Sequence, residues 1–261
     1  MQSIWRNRGL IWSLTQREVL GRYRGSIMGI LWSFFNPLLM LGVYTFVFGS
    51  VFQSRWTTES HSKVEFSLLL FIGMIVFGMF SECINRAPGL MLANPNYVKK
   101  VVFPLEILPI VSLGAAIFHL MVSLGVWVIF YLVAFGCPKL GLLLLPIILL
   151  PYTIFVLGLS WFLSALGVYL RDISQFVGVA VMAIMFLSPI FFPLSALPEG
   201  YREVMVHTPI SIAVEQTRDL IFWGKGIDWK LWIVNMAFSC LIGWLGYTWF
   251  QKTRRGFADV I

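Results

Sequence analysis

Side chains able to do acid–base, nucleophilic or metal chemistry are few in this chain, and their spacing rarely brings two together. His61, His119 and His207 stand on separate segments, and Cys83, Cys137 and Cys240 lie far apart, in or beside apolar runs. That spacing supplies neither a zinc site nor a disulfide framework. No HExxH, G-x-S-x-G or G-x-x-x-x-G-K-[ST] pattern occurs, and Gly224-Lys225-Gly226 lacks the spacing of a phosphate-cradling loop. His119 sits inside an apolar run, where an ionisable residue points to function; a neutral imidazole bonded to a neighbouring helix accounts for it equally well. Glu82 and Arg86 stand four apart, in the order that suits a helical ion pair, and Arg171-Asp172 marks a tight turn. The stretch the chain is organised around is Asn94 to Pro109, NPNYVKKVVFPLEILP, a short polar segment with Lys99 and Lys100 framed by Pro95, Pro104 and Pro109 between long apolar runs. Its chemistry is that of contact, to a soluble partner or to lipid headgroups.

The elements that carry these residues belong to a membrane. Hydrophobic residues make up 59% of the 261 and charged ones 12%, with a mean hydropathy of +0.84, too apolar for a soluble domain. The net charge of +7 is spread beside apolar runs and not gathered into a tail or basic domain. It therefore speaks for membrane topology and anionic lipid, not nucleic acid.

A charge at mid-helix costs about 2.5–3.5 kcal/mol on the insertion scale, so charge-poor runs mark the spans. Six are expected, approximately 25–54, 66–86, 105–137, 140–170, 173–193 and 230–251, in an all-α integral membrane fold forming a single unit over 1–261. Residues 1–24 precede them. Ile4, Trp5, Ile11, Trp12 and Val19 fall on one side of a helical wheel and Arg6, Ser13 and Arg17 on the other, which describes an interfacial amphipathic helix; the bland reading is the polar start of the first span. The first apolar run is longer than a signal-peptide core and no A-x-A-like site follows it, so it is expected to be retained.

Six spans put both termini on one side. The segments on that side carry twelve Lys and Arg against seven on the other, which assigns the termini, and with them residues 94–104, to the cytoplasm. Opposite lies the loop 194–229. Its charge-free piece Val204 to Val214 is too short to cross and is interrupted by Pro209, the mark of a re-entrant segment. Ser188-Pro-Ile-Phe-Phe-Pro193 must break the fifth span near its outer end. Broken backbone at that depth needs protein or a water-filled cavity to satisfy it, so this region is expected to line or cover a pathway. Scarce intramembrane charge speaks against an ion-driven carrier.

Several stretches together resemble the permease subunits of ABC-2 type exporters of bacterial surface polysaccharide. They are Arg22-Tyr-Arg-Gly-Ser-Ile-Met-Gly-Ile-Leu-Trp32, Asn36-Pro37, Val43-Tyr-Thr-Phe-Val-Phe-Gly49, the Asn94–Pro109 stretch, Tyr169-Leu-Arg-Asp-Ile-Ser-Gln175, Leu187-Ser-Pro-Ile-Phe-Phe192 and Arg254-Arg-Gly-Phe-Ala-Asp259. O-antigen permeases are nearest, with capsule and teichoic-acid permeases as near relatives. The resemblance implies a six-span subunit of the bacterial inner membrane that forms a homodimer and joins two copies of a separate ATPase. That partner would bind ATP and Mg, this chain no cofactor or metal. The resemblance implies short gate helices in the last periplasmic loop and a substrate that is an undecaprenyl-type lipid-linked polysaccharide. Export of capsule, teichoic acid or a small hydrophobic compound is the alternative. A membrane enzyme acting on lipid-linked sugars is disfavoured, since no suitable acid pair or metal cluster sits at an interface.

On this reading Asn94, Pro95, Asn96, Tyr97, Val98, Lys99, Lys100, Val101, Phe103 and Pro104 form the ATPase-coupling segment, with Tyr97 to Phe103 as one short helix seated in a groove of the partner. Arg22, Arg24, Arg86 and Lys99 are candidate headgroup contacts; positive-inside topology alone demands basic residues there too. Tyr44, Phe46 and Phe48, where sugar rings would stack, and Ser188, Pro189, Phe192, Pro193, His207 and Pro209 are candidates for the pathway or gate. Aromatics such as Trp5, Trp12, Trp229 and Trp232 suit interface belts.

Overall fold

The structure, a computed structural model, describes residues 5–47, 63–99, 103–137 and 140–261. It is helical throughout, as a chain in hydrocarbon must be to satisfy its own backbone. In chain order the helices are α1 (Arg8–Tyr23), α2 (Trp32–Tyr44), α3 (Lys63–Arg86), α4 (Pro95–Lys99), α5 (Ile107–Phe135), α6 (Leu145–Tyr169), α7 (Ile173–Leu187), α8 (Glu199–Val206), α9 (Pro209–Arg218), α10 (Trp229–Thr253) and α11 (Phe257–Val260).

α3 is the centre. Its run Leu68–Ile72 and residues Val76, Met79, Phe80 and Cys83 are buried on every side, as expected of a helix apolar all round. α5 packs on it, with Trp127 Nε1 donating to Leu68 O at 3.1 Å, and α6 adds Tyr152, whose hydroxyl donates to Val76 O at 3.3 Å. α10 runs against α6 at very close range: a Cβ on Gly158 would lie 2.7 Å from Gly243 Cα, and one on Gly246 would collide with Gly158 O. Small residues that let backbones meet are the usual device where lipid offers no hydrophobic drive to association.

α1 and α11 both pack near the start of α5. There Arg254 Nη1 meets Glu106 Oε2 at 2.9 Å, Tyr169 Oη donates to Thr253 O at 2.9 Å, and Phe257 of α11 is buried with Phe250, Trp161 and Met91.

Among the described residues, five stretches are long and apolar enough to cross a membrane: Gly29–Val47, Val64–Gly89, Ile107–Phe135, Gly141–Tyr169 and Trp229–Val260. The expected fifth span, 173–193, is a helix over its first fifteen residues only. At 1.5 Å per residue that is about 22 Å against a hydrocarbon core of about 30 Å. The expected first span also starts late, because Gly25 and Gly29 adopt positive φ and hold 25–28 in a turn; its residues 48–54 fall outside those described. α5 is longer than a span needs, about 43 Å for its 29 residues, and α1 lies along its first turns. Leu14 and Val19 of α1 are buried, with Leu14 packed on Ile107 and Val111, while Trp5 and Trp12 face outward. The single apolar face read from the sequence is thus divided, and Ile4 falls outside the described residues.

Candidate functional site

A cavity of about 330 Å³ opens between the end of α1 and helices α2, α3 and α5. Tyr44, Met40, Phe71, Met74 and Leu120 make an apolar wall, and Arg22, Tyr23, Glu82 and His119 gather at a polar mouth. These four come from three helices. Arg22 Nη2 lies 2.7 Å from Glu82 Oε1, His119 Nδ1 is 2.9 Å from Glu82 Oε2, and Tyr23 Oη is 3.2 Å from His119 Nε2. A carboxylate can only accept, so Nδ1 carries the imidazole proton and, in the neutral ring, Nε2 accepts from the phenol. Burial raises Tyr23 above its ordinary value, which keeps the phenol a neutral donor. Arg22 Nη1 stands 3.1 Å from Nδ1 as well, but with both nitrogens protonated that is a contact and not a bond.

His119 therefore does have an acid beside it, supplied by another helix and so invisible within its own run. Glu82 also reaches Arg86 at 3.8 Å, yet Arg86 meets Glu18 of α1 more closely. Arg22 and Arg86, candidate headgroup contacts, each have a carboxylate beside them. Arg24 and Lys99 are exposed, and among the described residues neither makes an ion pair.

The expected coupling segment is only partly one helix. α4 covers Pro95–Lys99, Phe103 and Pro104 lie outside it, and Lys100 and Val101 are not among the described residues. Asn94 precedes α4, its side chain donating to Leu90 O at 2.9 Å, and Asn96 is exposed. Tyr97 stacks on Phe103 with centroids 4.4 Å apart, its hydroxyl accepts from Arg17 Nη2 at 2.8 Å, and Val98 packs on the same buried cluster. The aromatic face expected to seat in a partner is spent inside the chain; what α4 leaves outward is polar, with Pro95, Asn96 and Lys99 exposed.

At the opposite end the loop 194–229 folds into a 3₁₀ turn Leu194–Ala196, α8, α9 and a π turn Asp219–Trp223. Pro209 does not interrupt a helix but opens α9, where its missing N–H costs nothing and Thr208 caps, its Oγ1 accepting from Ser211 N at 3.3 Å. α9 is buried along most of its length against α3 and α6. It ends on Arg218, 1% exposed, a residue the sequence did not single out. Arg218 Nε donates to Leu69 O of α3 at 2.9 Å, Nη1 to Pro189 O at 2.6 Å and to Glu215 Oε1 at 2.8 Å, and Nη2 to Ile190 O at 2.8 Å. The break after Ser188 is thus satisfied by a cation from α9, the protein partner such a break at that depth requires.

Of the expected pathway residues, Tyr44 lines the cavity, Phe46 is exposed and not part of its lining, and Phe48 lies outside the described residues. Ser188 is buried where α7 ends, Pro189 offers its carbonyl to Arg218, and Phe192 and Pro193 lead into the 3₁₀ turn. His207 is exposed between α8 and α9, its Nδ1 2.8 Å from Glu203 O. Two groups therefore stand apart: Tyr44 at the cavity, and 188–193 with α9 around Arg218.

Residues 9–222 match the family described as ABC-2 type transporter. The chain is 26% identical over 263 residues to the O-antigen export system permease protein RfbA of Myxococcus xanthus, covering 100% of this chain and 98% of that protein. To RfbA of Klebsiella pneumoniae it is 24% identical over 249 residues, 95% of this chain and 93% of that one. To the polysialic acid transport protein KpsM of Escherichia coli it is 22% identical over 219 residues, 81% of each.

Proposed function

The chain belongs to the ABC-2 type transporter family, and we propose that it is the membrane permease subunit of an ATP-driven exporter of lipid-linked polysaccharide, with O antigen as cargo. The observation that carries this reading is the end-to-end likeness to an O-antigen export permease. Two copies form the path in the inner membrane, with both termini and α4 in the cytoplasm, and a separate ATPase docks on 94–104 through the outward side of α4. The cavity between α2, α3 and α5 receives the lipid-linked end, its apolar wall suiting the lipid. Lys99, which no carboxylate neutralises among the described residues, serves the cargo's headgroup better than Arg22 or Arg86. α7 completes the sixth crossing with its broken outer segment, and α8 and α9 form the gate. ATP and Mg act in the partner. The likeness to a polysialic acid transport protein makes capsule the second reading of the cargo.

The test is affinity purification of the tagged chain from its native membranes, with surface polysaccharide measured in cells lacking it. A stoichiometric ATPase and loss of surface O antigen are expected. Isolation of the chain alone under gentle detergent, with lipid-linked sugar still processed in the absence of any ATPase, overturns the transport reading. Loss of capsule with O antigen intact moves the cargo to the second reading.

A further inference from the structure

α1 presents three faces. One, with Leu14 and Val19, is buried. The next borders an apolar groove of about 530 Å³ between α1 and α5, walled by Trp12, Leu20, Ile30, Ile117, Phe118 and Met121. Trp12, Leu20 and Met121 each leave more than half their surface uncovered. The third is a polar pocket holding Arg17, Arg24, Ser13 and Gly21. Gln16 and Leu20 line both hollows, so the groove and the basic pocket are continuous over one ridge of the helix. Gly21 leaves the floor of the basic pocket open, with nothing within 4 Å of where its side chain would be.

We propose that this joined groove and pocket is a resident site for one anionic glycerophospholipid, bound and not transported, with an acyl chain along the groove and the phosphate between Arg17 and Arg24. Apolar area beside a cation pair fits an amphiphile with a negative head. Arg17 and Arg24 are seven apart, two helical turns, so both reach one headgroup, and Ser13 and Gln16 add neutral donors to the phosphate oxygens. Basic residues on an amphipathic helix at the membrane surface attract acidic headgroups in this way. A second copy of this chain is a poorer occupant. It would have to set carboxylates against Arg17 and Arg24, and the acids seated beside α1, Glu18 and Glu82, are already paired with Arg86 and Arg22. Because Arg17 also donates to Tyr97, the lipid would sit one residue from the docking segment.

The test uses the full chain in detergent, titrated with phosphatidylglycerol or phosphatidylcholine and followed by native mass spectrometry. One phosphatidylglycerol per chain is expected, with phosphatidylcholine much weaker. At about 1 kcal/mol for each basic residue near an anionic head and 1.4 kcal/mol per decade, Arg17→Gln with Arg24→Gln should weaken binding about thirtyfold. Arg24→Gln alone, at an exposed side chain, should weaken it about fivefold without touching the fold, and Arg24→Lys should keep most of the affinity. Brominated-acyl phosphatidylglycerol should quench Trp12, an effect lost in Trp12→Phe. Equal retention of the two lipids, unchanged affinity in the double variant, displacement by millimolar inorganic phosphate alone, or burial of Trp12 by a second copy would each overturn the proposal.

Discussion

Arg218 satisfies three backbone carbonyls and a carboxylate with one side chain, a task that fits a planar fork of five N–H donors and not the point charge of a lysine. Replacing it by methionine leaves Pro189 O and Ile190 O without a donor and Glu215 as an uncompensated charge. Breaking a buried pair in this way costs about 3–5 kcal/mol. Arg218→Met should therefore lower thermal stability in detergent sharply, with Arg218→Lys between it and the wild type. Gly73 belongs to the same unit, since a Cβ there would lie 2.6 Å from Arg218 Nη2. Gly73→Ala should destabilise in the same way, and combined with Arg218→Met it should add less than its separate cost, as residues sharing one network do. Full additivity in thermal melts would show the two act independently. At the cavity mouth, Glu82→Gln removes the negative charge and one of the two acceptor oxygens that Arg22 and His119 share. Hydrogen bonds to charged groups are worth about 1.5–3 kcal/mol, so a loss of about 2 kcal/mol is expected, and the same melts in detergent would measure it.

Short elements differ from long ones in how much of them the sequence discloses. α4, the proposed docking segment, is the case in point. Tyr97→Asp would destroy the stack on Phe103 and the bond from Arg17, so a lost partner in that variant would say little about the docking surface. Lys99 is exposed at the end of α4. Lys99→Glu should release the ATPase on co-purification while thermal stability stays unchanged, and Tyr97→Phe should retain it; release by neither would move the docking surface off α4. The long apolar helices α3, α5, α6 and α10 were legible because hydrocarbon thickness imposes a run of about twenty residues. So was the break after Ser188, since proline cannot continue the helix. The shortness of α7, the burial of α9 and the meeting of His119 with Glu82 were not. Each depends on partners far along the chain, 149 residues between Arg218 and Leu69 and 37 between Glu82 and His119, and no local period reports such a pairing. α1 misled for a related reason: its apolar residues serve two surfaces, so one wheel could not tell Val19, facing α5, from Trp12, facing out.

Across the whole molecule the helices are unequally covered. In their most apolar windows 72% of α3 is buried against 11% of the stretch Gly29–Val47 that contains α2. α7 likewise leaves Phe176, Val179, Met182 and Phe186 exposed. Low burial alone is no sign of a partner in a membrane, where lipid covers apolar surface as well as protein does. α10 shows this, with Leu241, Trp244 and Leu245 exposed and bulky. What sets α2 apart is that it also walls the cavity, through Asn36, Pro37, Met40 and Tyr44. A hydrated sugar chain cannot pass along lipid, because its hydroxyls would lose water without a substitute. If this surface carries the cargo, protein must close it on the open side, and a second copy presenting its own α2 does so by two-fold symmetry. With Cys137 and Cys240 replaced, Met40→Cys or Met182→Cys should then form a disulfide-linked dimer under mild oxidation in native membranes, while Trp244→Cys on α10 should stay monomeric. Cross-linking through α10 alone would place the second copy on the far side of the bundle, leave the cavity facing lipid, and require another route for the sugar.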